Sequence, residues 1–285
     1  MEFLTKAIAT ATIVALVLLA ARRFGHRIAG LMAGLPFTTV PALGWTASVG
    51  GAELAARVAV GTVAGCILVP LFAVAYDKTA RRRSPASSLI AGIAAVACGV
   101  ALMSRVPATL GLAAFICAIA GLAALQILRA PESVRVPVNA SSCSLTPIAP
   151  GVALVGIVSA AVATLSTVTT PQFAGLLSGL PTLGLATIVS LHGAQGNACV
   201  TPFLRGYVIS TLGRVLFGTV FAIMALPAGI TAAMLVAIAA GASFCFAVSC
   251  IDGRCLSGCG IAKKLRLTEH ELPRRAQSSA PVRTK

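Results

Sequence analysis

Few residues in this chain could do chemistry, and those few lie among apolar neighbours. Arg214 stands near the middle of the run Gly206–Leu226. A charge inside such a run is costly and marks a functional position by default. All seven acidic residues (Glu2, Glu53, Asp77, Glu132, Asp252, Glu269 and Glu271) read as loop, tail or helix-end residues. None is placed to neutralise Arg214 at depth. Its guanidinium therefore faces backbone carbonyls, water, a lipid headgroup reached by snorkelling, or an anionic solute. His192, in "SLHGAQGN", is the one candidate for intramembrane proton chemistry. With Gln195 and Asn197 it could form a polar gate, or it could be a solvated loop residue. Glu53 and Arg57 are spaced i, i+4 and should pair.

A second set consists of helix breakers. "AGLMAGLP" at Ala29–Pro36 returns as "AGLLSGLP" at Ala174–Pro181, an offset of 145 residues, with six of eight positions identical. Proline has no N–H, so Pro36 should leave the carbonyl of Met32 without its helical partner, and Pro181 that of Leu177. Gly34 and Gly179 ease unwinding there, and Thr38, Thr39, Ser178 and Thr182 add hydroxyls. Inside a bilayer such groups must be satisfied by protein or must line a wet cavity. Two readings stay open: a midplane binding site made by paired broken helices, or close packing with kinks and no ligand. On the first reading the substrate-binding set is Gly34, Pro36, Thr38, Thr39, Ser178, Gly179, Pro181, Thr182 and Arg214.

Other chemistry finds little support. Cys250, Cys255 and Cys259 lack the C-x2-C spacing of zinc and iron–sulfur sites and read as reduced thiols. Cys66, Cys98, Cys117 and Cys199 read as small packing residues. No G-x-S-x-G, H-E-x-x-H, P-loop or carboxylate pair occurs. The expectation is no enzyme, no catalytic residue, no cofactor and no metal.

The elements that carry these residues follow from composition. The chain has 285 residues, 58% hydrophobic and 10% charged, with mean hydropathy +0.96. A soluble domain carries about 25% charged residues. Continuous charge-poor runs point to transmembrane helices rather than barrel strands. Nine are expected: Leu4–Ala21, Ile28–Ser48, Ala55–Tyr76, Ser87–Met103, Ala108–Leu128, Ile148–Val168, Phe173–Leu191, Gly206–Leu226 and Ile230–Ser249. The first reads as a retained helix, not a cleaved signal.

The 145-residue register also pairs Gly51 with Gly196, Gly61 with Gly206, Leu71–Phe72 with Leu216–Phe217, and Ile93–Ala95 with Ile238–Ala240. This predicts a duplication. Repeat 1 is 1–106, a linker helix and cytoplasmic loop occupy 107–147, repeat 2 is 148–250, and 251–285 has the composition of a disordered basic tail. Four crossings plus one linker helix make an odd number, so the second repeat begins on the opposite side. The expected fold is all-α: a polytopic membrane helix bundle of two inverted four-helix repeats.

Charge supports the inversion. "RRFGHR" (Arg22–Arg27) and "DKTARRR" (Asp77–Arg83) are basic, whereas their counterparts "TVTTPQ" (Thr167–Gln172) and "AIMALP" (Ala222–Pro227) carry no charge. The net charge of +15 collects on one side, which the positive-inside rule makes cytoplasmic, with the N-terminus outside. Its expected partners are the bilayer and anionic lipid heads, with a small anionic solute as a candidate; no motif suggests nucleic acid.

"RIAGLMAGLPFTTVPALGW" (Arg27–Trp45), echoed in "FAGLLSGLPTLGLATIVS" (Phe173–Ser190), resembles the signature of the small GlpM-like membrane proteins. The resemblance implies a fused pair of four-helix units in a bacterial inner membrane, with no established chemistry to carry over. The functional expectation is a secondary transporter or channel. The alternative is a non-transporting scaffold that helps assemble an envelope complex.

Overall fold

A computed structural model describes residues 8, 12, 16, 26–36, 39–107, 109–128 and 169–251. Two units divide the chain, Met1–Cys245 and Phe246–Lys285; everything below concerns the first, apart from the last turns of the final helix. The described residues are helical, with no strand among them. The helices are α1 (His26–Gly34), α2 (Thr39–Gly65), α3 (Leu68–Ala80), α4 (Pro85–Met103), α5 (Leu110–Ile127), α6 (Pro171–Ser178), α7 (Thr182–Gln195), α8 (Val200–Met224) and α9 (Ile230–Ile251). A 3-10 turn, Asn197–Cys199, joins α7 to α8.

Six stretches among the described residues are long and apolar enough to cross a membrane: Gly50–Ala80, Pro85–Met103, Leu110–Ile127, Pro171–Gly193, Asn197–Met224 and Ile230–Val248. This is a helical membrane protein. The expected crossings Leu4–Ala21 and Ile148–Val168 lie outside the described residues, as does the tail after Ile251. The expected Ile28–Ser48 is not one continuous helix, because the chain leaves helical geometry after Gly34 and resumes at Thr39. Ala55–Tyr76 is also interrupted, between Gly65 and Leu68. Pro70 is the local cause: it has no N–H to offer the Cys66 carbonyl, and its ring crowds that group.

Helix starts follow familiar chemistry. Ser84 caps α4 by accepting from Ser87 N, with Pro85 in the first turn. Thr170 caps α6 by accepting from Phe173 N, with Pro171 following. Gly51 (φ 75°, ψ −174°) and Gly196 (φ 76°, ψ −168°) share a conformation that is essentially restricted to glycine. They lie 145 residues apart and turn the chain at corresponding points: within α2, and between α7 and α8.

Packing places α2, α3 and α8 at the centre. Residues on α4, α5 and α9 expose Ile90, Ile93, Leu102, Phe115, Ile119, Leu122 and Leu235, the apolar surface that a bilayer requires. The larger core cluster holds Phe72, Tyr76, Phe203 and Tyr207; a second gathers Leu43, Ala47, Ala56, Phe217 and Phe221. α1 packs against α8, and α6 against α2.

Candidate functional site

Backbones approach so closely at these two contacts that only glycine fits. A Cβ on Gly30 would collide with the Phe203 carbonyl, and one on Gly206 with the Arg27 carbonyl. The same arrangement recurs 145 residues away: Gly175 against the Val58 carbonyl, Gly61 against the Gln172 carbonyl. One turn further on, Gly34 lies under Ser210, and Gly179 against Gly65. Small residues at helix interfaces allow this contact distance within a membrane. Each broken helix therefore ends against the long helix from the other half of the chain.

The breaks themselves correct one expectation. Met32 and Leu177 were to be left with free carbonyls. Instead Leu35 N donates to Met32 O at 3.3 Å, and Leu180 N to Leu177 O at 3.1 Å. Each chain tightens into an i+3 turn and satisfies the group that proline abandons. Beyond each proline a new helix begins from its carbonyl: Val40 N donates to Pro36 O at 2.9 Å and Leu185 N to Pro181 O at 2.8 Å. The breaks present hydroxyls rather than bare backbone. Ser178 Oγ donates to Gly175 O at 2.6 Å and lies 2.9 Å from Thr62 Oγ1. Thr39 is buried, and its hydroxyl has no partner among the described residues. Pro181 is buried, Pro36 and Thr182 half-buried. Thr38 lies outside the described residues.

Arg214 is 4% exposed, on the part of α8 that faces the interruption between α2 and α3. Its polar neighbours are Cys66, in that interruption, Tyr207 one helical stretch earlier, and Cys117 on α5. No carboxylate is among them. Guanidinium atoms Nε and Nη2 have no hydrogen-bond partner among the described residues. Cys117 Sγ donates to the Val63 carbonyl at 3.0 Å, so α5 closes over the same interruption. The Tyr207 ring rests on Gly184, in α7. Arg214 is thus linked to both Gly-Leu-Pro breaks: Ser210, one turn earlier on α8, meets Gly34, and Gly65, the chain neighbour of Cys66, meets Gly179.

Of the expected polar gate, only His192 is placed in a buried polar contact. His192 is not a loop residue: it belongs to α7, is 6% exposed, and its Nδ1 lies 3.1 Å from the Tyr76 hydroxyl. Asn197 is exposed and does not join it; the Gln195 side chain lies outside the described residues. Asp77 is a second correction. It was expected in a loop, but α3 continues to Ala80 and buries it at 1% exposure. Arg81 Nε and Nη2 donate to Asp77 Oδ2 at 3.0 and 2.8 Å, and Thr201 donates to Oδ1. Arg205, one residue before the expected run Gly206–Leu226, lies inside α8 and donates to the Leu125 and Leu128 carbonyls at the end of α5.

One further expectation holds. Arg57 Nη2 meets Glu53 Oε1 at 2.6 Å. Cys66, Cys117, Cys199 and Cys245 are buried free thiols and Cys98 an exposed one. Of the tail cysteines, Cys255 and Cys259 lie outside the described residues, as does the side chain of Cys250. Among the described residues, no group of His, Cys, Asp or Glu is placed to hold a metal ion. Comparisons with protein-family models, curated proteins and solved structures give no match.

Proposed function

We propose that the protein is a secondary transporter or channel for a small anionic solute, built from two inverted repeats around Arg214. The observation that carries this reading is a buried, incompletely hydrogen-bonded guanidinium flanked by two broken helices in corresponding contacts. An arginine at the centre of a membrane helix costs about 3 kcal/mol on insertion scales. With no carboxylate beside it, an anion is the ligand that best offsets that cost.

The contact pattern supports a two-fold relation between the two halves of the chain, whose inverted sense rests on the loop charges. In a two-fold interface, if residue i of one half meets j of the other, then j of the first meets i of the second. Gly30 with Phe203 and Gly175 with Val58 obey this rule at the offset of 145, as do Gly206 with Arg27 and Gly61 with Gln172. Basic residues also gather at one end of the bundle: Arg81 pairs with Asp77 at the end of α3, Arg205 reaches the end of α5, and the Arg27 backbone packs on Gly206 beside Arg205. The positive-inside rule makes that end cytoplasmic. A fused pair of GlpM-like units in a bacterial inner membrane accounts for this architecture.

Two experiments test the reading. Cysteines introduced at Gly50 and Arg82 should label from opposite sides, Gly50 from outside; labelling of a Thr169 cysteine from the cytoplasm would sink the inverted model. In proteoliposomes loaded in turn with chloride, nitrate, sulfate, phosphate and short carboxylates, at least one anion should cross. Arg214→Gln should abolish that flux, and Pro36→Ala with Pro181→Ala should reduce it. Absence of flux for every anion would favour the scaffold reading.

A further inference from the structure

A guanidinium carries five N–H groups in one plane, and covalent geometry fixes their directions. The Nε–H and one N–H of Nη2 lie on the same edge of that plane and point the same way. Nε and Nη2 are the two nitrogens of Arg214 that are buried without a hydrogen-bond partner among the described residues. The unsatisfied donors are therefore a side-by-side pair and not two scattered groups.

The helix that carries this edge is held on three sides. One turn before Arg214, Ser210 meets Gly34 of α1. Beside it, a Cβ on Gly213 would collide with Cys245 Sγ and crowd the Gly241 carbonyl of α9. One turn after it, Gly218 lies against the Val63 side chain of α2. The polar side chains around the guanidinium are Cys66, Tyr207 and Cys117, two thiols and a phenol. Cys117 Sγ already donates to the Val63 carbonyl at 3.0 Å. None of these groups competes for the edge as an anion would, and Arg214 supplies the one charge in this set.

We infer that the solute is a small monovalent oxyanion with a flat two-oxygen edge, the shape shared by a short monocarboxylate and nitrate. Two oxygens on one edge meet the two N–H groups in parallel, each bond close to straight. A halide gathers both bonds on one point and bends them, which weakens them. Sulfate can present two oxygens, but its second charge would stay unpaired in a buried site, at a high cost. One negative charge against one guanidinium leaves the place neutral.

The inference rests on the anion reading above and narrows it, and one experiment separates the two. Full-length protein in proteoliposomes at about pH 7.5 is offered formate, nitrate, chloride, iodide and sulfate, each measured as flux above protein-free vesicles. Iodide controls for hydration: it sheds water more readily than formate, so a passage that sorts anions by dehydration alone favours iodide. The fork predicts that formate and nitrate cross at least about tenfold faster than the other three, the ratio expected when one well-aligned hydrogen bond to a charged group is lost. Chloride, iodide or sulfate crossing as fast as formate overturns the oxyanion inference and leaves the anion reading standing. Flux of no anion overturns both. Arg214→Lys keeps the charge and loses the fork. In monodisperse variant protein the formate-to-chloride ratio should collapse towards one, and retention of the wild-type ratio also overturns the inference. The wild-type ratios decide without the variant, so the test survives a variant that does not fold.

Discussion

The two long inner crossings, Gly50–Ala80 and Val200–Met224, occupy corresponding positions in the two halves of the chain and differ at their centres. They share the glycine seats: Gly61 and Gly206 each accept the other half's broken helix against bare backbone. They differ where α2 stops at Gly65 and α3 restarts at Leu68, while α8 runs unbroken through the matching residues. Pro70 of the first crossing corresponds to Val215 of the second, and Val69 to Arg214. The interruption in one crossing faces the only deeply buried arginine of the other. The glycine packing positions are the same in both halves, whereas the buried arginine occurs in one half only.

Exchanging the central residues should break this comparison most visibly. Val215→Pro puts a proline inside a continuous helix, which costs about 3 kcal/mol or more; it should give protein that fails to stay monodisperse in detergent or melts far below wild type. Pro70→Ala removes a proline from a break that the packing already accommodates, and should shift stability by no more than about 1 kcal/mol. Equal damage from both would mean that proline placement does not set the difference between the crossings.

The glycine seats should respond alike in the two halves. Gly61→Val and Gly206→Val each drive a branched side chain into a backbone carbonyl, and each should lower stability by about 1–3 kcal/mol. Gly44→Ala and Gly111→Ala meet open space. In helices they should be neutral or slightly stabilising, by up to about 1 kcal/mol. Thermal melts in one detergent decide the matter; a large effect at Gly61 with none at Gly206 would show the two contacts to be unrelated.

Arg214→Met sharpens the contrast at the centre. It replaces an incompletely paired buried charge by an apolar side chain of similar length. Such replacements are neutral or stabilise by about 1–4 kcal/mol. The melting temperature should hold or rise while anion flux disappears, a trade of stability against function. A marked loss of stability would mean that Arg214 holds the helices together instead of waiting for a ligand.

Much of this architecture was legible in the chain because it is written in residues with strong local rules. The Gly-Leu-Pro breaks and the Glu53–Arg57 pair depend on short spacings, the paired glycines on the 145-residue register, and all appear in the structure. The interruption at Cys66 was missed, although Pro70 signalled it; a single proline in an apolar run reads as a tolerated kink until its effect on residue i−4 is followed. Asp77 and His192 were misplaced for another reason. The acidic and basic letters of "DKTARRR" look like a loop, but the helix continues because Arg81, one turn on, and Thr201, far away in sequence, satisfy the carboxylate. Burial produced by a partner 124 residues distant has no signature in local composition. The free carbonyls expected at Met32 and Leu177 failed because the sequence shows which bond proline removes and not the i+3 bond that replaces it.

The smallest expected effects compare two ion pairs of the same i, i+4 spacing. Arg57 and Glu53 are both mostly exposed, whereas Asp77 is buried beneath a half-exposed Arg81. An exposed pair gains little in a screened, high-dielectric setting, so Glu53→Gln should change stability by about 0.3 kcal/mol, close to the error of a melt. Asp77→Asn keeps an acceptor for Thr201 but removes the charge that holds Arg81. Hydrogen bonds to a charged group contribute about 1.5–3 kcal/mol, so a loss of about 2 kcal/mol is expected, with the exposed Arg81 released to water. The protection of segments 76–83 and 192–201 against deuterium exchange should fall with it. If the two substitutions instead behave alike, burial at the basic end adds nothing to the bond.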